Sequence, residues 1–159
     1  MNNIKTFENF NNQDIFTYIK NNDIQSIKNY INSGHDLNIQ DNFGHTALIW
    51  AARNSDNKEI VKLLLNAGAD IDKQNNGDYT ALICAALENN RKIVELLLDY
   101  GADEFILNNE NKSFYDYLDD ENKKYFLQNY PTSVYNAISH NYKKSFTEFV
   151  KDYNIKIKK

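Results

Sequence analysis

Three histidines and one cysteine are the side chains of this sequence suited to titrate or attack near neutral pH. His35, His45 and His140 lie far apart along the chain. A thiol nucleophile needs a base close in space to take its proton, and the sequence predicts none for Cys84. Set between Ile83 and Ala85-Ala86, Cys84 reads as a packed helix residue. No HExxH, paired CxxC or glycine-rich phosphate loop occurs. The run Asp119-Asp120-Glu121 reads as a helix start or surface charge, since carboxylates complement the free N–H groups of a first turn. One cysteine excludes an internal disulfide and a cysteine-rich zinc cage. No catalytic residue, metal ligand or cofactor is expected, and the chain is not expected to be an enzyme.

The 159 residues suffice for one domain or a short repeat array. Apolar residues at 42% and charged residues at 25% are ordinary for a soluble globular protein. A formal charge of -4 argues against a general nucleic-acid binder. The N-terminus lacks the apolar core of a signal peptide, and no run is apolar enough to insert in a membrane. A cytoplasmic protein, monomeric when free, is expected; an effector exported by another signal would read the same. Asparagine doublets at 11–12, 21–22, 75–76, 89–90 and 108–109 read as solvated turns rather than an aggregating tract.

A repeat is what must position any functional side chain. Gly44-His45-Thr46-Ala47-Leu48-Ile49-Trp50-Ala51-Ala52, followed by an apolar run at 60–65 and Gly68-Ala69-Asp70, returns one period later. There it reads Asp78-Tyr79-Thr80-Ala81-Leu82-Ile83-Cys84-Ala85-Ala86, with a second apolar run at 93–98 and Gly101-Ala102-Asp103. Self-similarity at this period outranks local propensity. Thr46 and Thr80 start first helices, because a threonine oxygen can satisfy a free N–H there. The broad apolar surface of the second helix at 59–66 makes sense only with neighbours on both sides. Gly68 suits a helix exit at positive φ. Seven residues separate Ala52 from Ile60 against six between Ala86 and Ile93, a one-residue insertion in a solvated turn.

The expected organisation is all-α. Residues 1–12 are a flexible N-terminus and 13–38 a divergent capping repeat, with Asp14 a candidate cap. Two well-formed units follow at 39–72 and 73–106, then a degenerate one at 107–129 that has lost the alanine pair. Pro131 opens a C-terminal cap at 130–154, either one bent helix or a helix pair carrying Val134, Ala137, Ile138, Tyr142, Phe146, Phe149, Val150 and Tyr153. A basic tail closes the chain at 155–159.

Over about residues 13–128, and most sharply at 41–103, the pattern resembles the ankyrin repeat. Thr46-Ala47-Leu48-Ile49 and Thr80-Ala81-Leu82-Ile83 keep the family's threonine and leucine but lack its proline and histidine. The resemblance implies a solenoid of stacked antiparallel helix pairs with projecting loops, and another protein as partner on its concave side. Carried over by position, the candidate contacts in the loops are Asn42, Phe43, His45, Asn76, Gly77, Tyr79, Asn109, Glu110 and Lys112. Those at the first-helix ends are Arg53, Asn54, Leu87 and Glu88. Phe43 and Tyr79 are the expected anchors, since aromatic side chains bury much area at small entropic cost. Trp50, at the position that Cys84 fills in the next unit, is a further contact candidate, with inter-repeat packing as the competing role. The expected function is a protein-binding module; the alternatives are an immunity or inhibitor protein that neutralises a toxin or enzyme, a bacterial effector and, last, an enzyme.

Overall fold

A computed structural model describes residues 14–54, 57–139 and 145–155. The N-terminal segment 1–12, Ser55 and Asp56 of the inter-helix turn, His140, Tyr142 and the lysines of the basic tail lie outside the described residues. So does the side chain of Asp14.

Among the described residues the chain is all-α, with no strand. The helices come in pairs: α1 (Asp14–Lys20) with α2 (Ile24–Asn32), α3 (Ala47–Ala52) with α4 (Lys58–Asn66), and α5 (Ala81–Leu87) with α6 (Arg91–Asp99). Then come α7 (Phe114–Tyr117), α8 (Asp120–Asn129), α9 (Pro131–Ile138) and α10 (Phe146–Asp152).

Several boundaries have a local cause. Thr46 and Thr80 are extended at the N-caps of α3 and α5, and their hydroxyl oxygens accept the N–H of Ile49 at 3.2 Å and of Ile83 at 3.3 Å. Ser113 forms a capping box with Asp116, whose carboxylate accepts the Ser113 N–H at 2.8 Å. Asp119 caps α8 by accepting the Asn122 N–H at 2.8 Å, and Pro131 occupies the first turn of α9. Gly68 leaves α4 at φ 89°, donating to Leu65 O at 3.0 Å while Ala69 donates to Leu64 O at 3.0 Å.

The pairs stack in register. First helices pack in series, α1 on α3, α3 on α5 and α5 on α7, and behind them α2 packs on α4 and α4 on α6. Ala47, Ala51 and Ala52 in α3, and Ala81, Ala85 and Ala86 in α5, are all buried, and their small size lets the first helices approach closely. Ile49 and Ile83 fill the place of the family's histidine and are buried too, so apolar burial replaces its hydrogen bond. Ile60, Val61 and Leu64 of α4 and Ile93, Val94 and Leu97 of α6 complete the core behind them.

The stack ends in aromatic packing. α7 is a single turn; its Phe114 meets the fully buried Phe126 of α8 edge-on, centroids 6.3 Å apart. α9 packs on both α7 and α8 and buries Val134 and Ala137. α10 then packs on α9 through Phe149, 5.5 Å from the Tyr135 ring. The C-terminal segment is therefore two helices among the described residues, the second begun by a capping box of Ser145 and Glu148.

Of the asparagine doublets, Asn90 and Asn108 depart from expectation in being buried, as Asn57 also is, whereas Asn22 and Asn89 lie in exposed turns at φ 54° and 49°. These asparagines are fitted into the turns by their short amides, which tolerate the left-handed region and bond to nearby backbone.

Candidate functional site

The loops entering α3, α5 and α7 are built alike. Asp41, Asn75 and Asn108 each sit five residues before the capping Thr46, Thr80 and Ser113. Each Oδ1 accepts two backbone N–H groups: Phe43 and His45 at 2.9 Å, Gly77 and Tyr79 at 2.9 and 3.0 Å, Glu110 and Lys112 at 3.0 Å. The same three residues donate their own N–H to the carbonyls of His45, Tyr79 and Lys112, each at 3.0 Å. The fourth loop position lies in the left-handed region in all three: Gly44 at φ 77°, Asp78 at 62° and Asn111 at 60°. One short polar side chain thus closes each loop around itself.

Adjacent loops are joined. The Asn76 N–H donates to Phe43 O at 3.1 Å and its Nδ2 to Asn42 O at 3.2 Å. Asn109 repeats the backbone bond one unit on, donating to Gly77 O at 3.3 Å. Gln40 Nε2 bridges Gly44 O at 2.6 Å and Gln74 O at 2.9 Å. The Tyr79 hydroxyl donates to Glu110 at 2.9 Å and lies 3.1 Å from the Tyr117 hydroxyl. Its pKa is raised, first by the Tyr117 hydrogen bond, then by burial and by Glu110. Lys112 pairs with Glu110 at 2.7 Å and lies over the Tyr117 ring at 5.4 Å.

Two of the three loops are also tied to their helices. Trp50 Nε1 donates to Asp41 Oδ2 at 3.0 Å, and Asn108 Nδ2 donates to the Tyr117 hydroxyl at 2.6 Å. Burial raises the Asp41 carboxyl, but the Trp50 N–H and the backbone N–H groups of His45 and Phe43 outweigh it and hold it below the ordinary value. Cys84, at the same register, is buried, and burial pushes its thiol up to about 12, which makes it a poor nucleophile. His45 lies between Phe43 and Trp50, with ring centroids 6.0 and 5.8 Å away, and its Nδ1 is 3.4 Å from Asp41 Oδ2. Lys20 of α1 covers the other part of Trp50 at 5.6 Å.

The fourteen expected contact residues thus divide. Asn42, Asn76, Gly77, Asn109, Tyr79 and Glu110 hold the loops to one another, Lys112 steadies Glu110 within its own loop, and Trp50 and His45 brace a loop against its helix. Arg53 pairs with Glu88 at 3.2 Å across the first-helix ends, on the surface, where such a pair contributes little. Asn54 is exposed beside Arg53. Phe43, 68% exposed at a loop tip, and Leu87, 45% exposed at the end of α5, are the large apolar side chains left to solvent on this face. Sequence reasoning missed Asp41, Asn75 and Asn108, although their constant offset from the capping hydroxyl was readable. It also missed Phe105, 57% exposed in the turn after α6, its N–H held by Asp103 Oδ1 at 2.8 Å.

Among the described residues no three His, Cys, Asp or Glu side chains are grouped to hold a metal ion, and no helix is long and apolar enough to cross a membrane. A family model described as ankyrin repeats, in three copies, matches residues 15–108. No curated protein matches the chain.

Proposed function

The chain belongs to the ankyrin-repeat family, and on that premise we propose that it binds a partner protein through its projecting loops and first-helix ends, without catalysis. Ankyrin repeats generally serve as protein–protein interaction modules. The observation that carries the reading is Phe43: a large apolar side chain 68% exposed on a loop whose backbone is hydrogen-bonded on both sides. An anchor on a braced loop loses little entropy on binding. Leu87, with Arg53, Asn54 and Glu88 beside it, supplies a second contact on the helix side. Tyr79, Glu110 and Lys112 act here mainly by keeping the loops in line. In this reading the free protein is monomeric and cytoplasmic.

The test is capture of the partner with tagged protein, identification by mass spectrometry, and titration with the purified pair. Replacing Phe43 and Leu87 together by Ala should weaken the complex by about 2 kcal/mol or more, the scale of interface anchors, with the urea midpoint unchanged. Undiminished binding by the double variant would sink the proposal. A neutralising inhibitor or an exported effector would use the same face. A one-to-one complex that abolishes the partner's activity marks the inhibitor.

A further inference from the structure

The sequence holds a single asparagine-glycine step, Asn76-Gly77. Glycine lacks the Cβ that shields a following backbone nitrogen, so here the Gly77 nitrogen has the freest approach to the Asn76 side-chain carbonyl carbon. The step lies on the seam between two repeats. Asn76 donates its N–H to Phe43 O and its Nδ2 to Asn42 O, and its side chain lies against Gly44. The equivalent residue one repeat on, Asn109, is followed by Glu110, whose side chain hinders the same attack.

We propose that Asn76 is a site of spontaneous deamidation, and that its conversion cuts the side-chain bond joining the loops of the second and third repeats. The Gly77 nitrogen gives its proton to solvent base and bonds to Cγ of Asn76. The Cγ–Nδ2 bond breaks and ammonia leaves, closing a five-membered succinimide. Water then opens the ring at either carbonyl, leaving aspartate or isoaspartate at position 76. Nothing is oxidised or reduced, and water is the sole co-reactant.

The native loop restrains the reaction at both reacting groups. Asn75 Oδ1 holds the Gly77 N–H at 2.9 Å, and Asn42 O holds the Asn76 amide at 3.2 Å. Both must let go before the ring can close, so the rate reports opening of this loop. After conversion the donor to Asn42 O is gone and a carboxylate faces that carbonyl, beside Asp78. The isoaspartate form also lengthens the backbone by one carbon between Cα of residue 76 and the Gly77 nitrogen, which shifts the Gly77 N–H away from Asn75 Oδ1. The proposal stands apart from partner binding, because its readouts are mass and stability.

The experiment incubates the protein in mildly alkaline buffer, folded and in urea, and follows all its tryptic peptides, 74–91 carrying Asn76, by chromatography and mass spectrometry. Two products with the mass of aspartate, one of them a substrate for isoaspartyl methyltransferase, should appear at Asn76 before any other asparagine converts. The folded chain should convert several-fold more slowly than the unfolded one. Asn75→Ala should convert faster than wild type while still folded by circular dichroism, and Gly77→Ala should slow conversion strongly. Asn76→Asp, the product made directly, should unfold at lower urea. Earlier conversion elsewhere, equal rates folded and unfolded, or an unchanged midpoint for Asn76→Asp would each overturn the proposal.

Discussion

Asn38 and Asp72 occupy one register position and meet the same need with different chemistry. Asn38 Oδ1 accepts the Asp70 N–H at 2.8 Å, and Asp72 Oδ1 accepts the Asp103 N–H at 2.9 Å, each stapling one exit turn to the next. The carboxylate does so at a disadvantage. Burial raises the Asp72 pKa above 3.8, and Asp103, Asp70 and Glu104 repel its charge, outweighing the Asp103 N–H. Folding therefore favours the protonated form, and stability is lost as pH rises from the ordinary value through the raised one. Asp72→Asn keeps the acceptor and removes the charge. Its urea midpoint should exceed wild type at neutral pH, and the gain should vanish below the ordinary carboxylate range; no gain at neutral pH would refute this account. Thr80→Ala leaves the buried Ile83 N–H without its acceptor and should cost about 1 kcal/mol in urea unfolding. The threonine caps were legible in the sequence because cap and helix are adjacent. The staples at Asn38 and Asp72 were not, since their partners lie a full repeat away and Asn and Asp are common in any turn.

The loops show what an element can carry beyond its residues. Gly44 has φ 77°, and a Cβ there would stand 2.6 Å from the Asn76 backbone nitrogen, which bonds Phe43 O. Gly68 has φ 89° with open space around it. Alanine at Gly68 should cost about 1 kcal/mol, the penalty of the left-handed conformation alone. Alanine at Gly44 should cost clearly more, because it also forces two loops apart. Equal losses in parallel urea titrations would show that the seam yields freely. The loop positions were legible from the repeat register, and Phe43 lies at a loop tip as expected. The engagement of Tyr79 was not legible. Its partners, Glu110 and Tyr117, belong to the degenerate unit, where the period no longer indicates what meets what.

At the scale of the molecule, stability depends on whether the ends are sealed. Phe149 is fully buried among Tyr135, Phe146 and Tyr153, far along the chain from the repeats. Phe149→Ala should cost about 3–5 kcal/mol. The fluorescence of Trp50, the single tryptophan, should move to lower urea with it, because stacked repeats are stabilised by their neighbours. A Trp50 transition that stays in place would mean that the cap folds independently. The stacked architecture was readable from one end of the alanine pattern to the other. The sequence reading left 130–154 open between one bent helix and a helix pair, although Ser145 with Glu148 three residues on is a capping-box signature that favours the pair.

The alanine pairs also decide where this protein can lengthen. Ala51-Ala52 in α3 and Ala85-Ala86 in α5 present matching small faces, whereas the equivalent positions, just past the end of α7, carry the larger Leu118 and Asp119. A duplicate of residues 39–72 inserted after its original would meet an alanine face on each side and leave the C-terminal packing of α7 to α10 intact. The same copy placed after α8 would displace α9 from its seat on α7 and meet aromatic rings instead. Such a chain acquires new units between its alanine faces, and the aromatic packing of α7 to α10 is the part that duplication must leave alone.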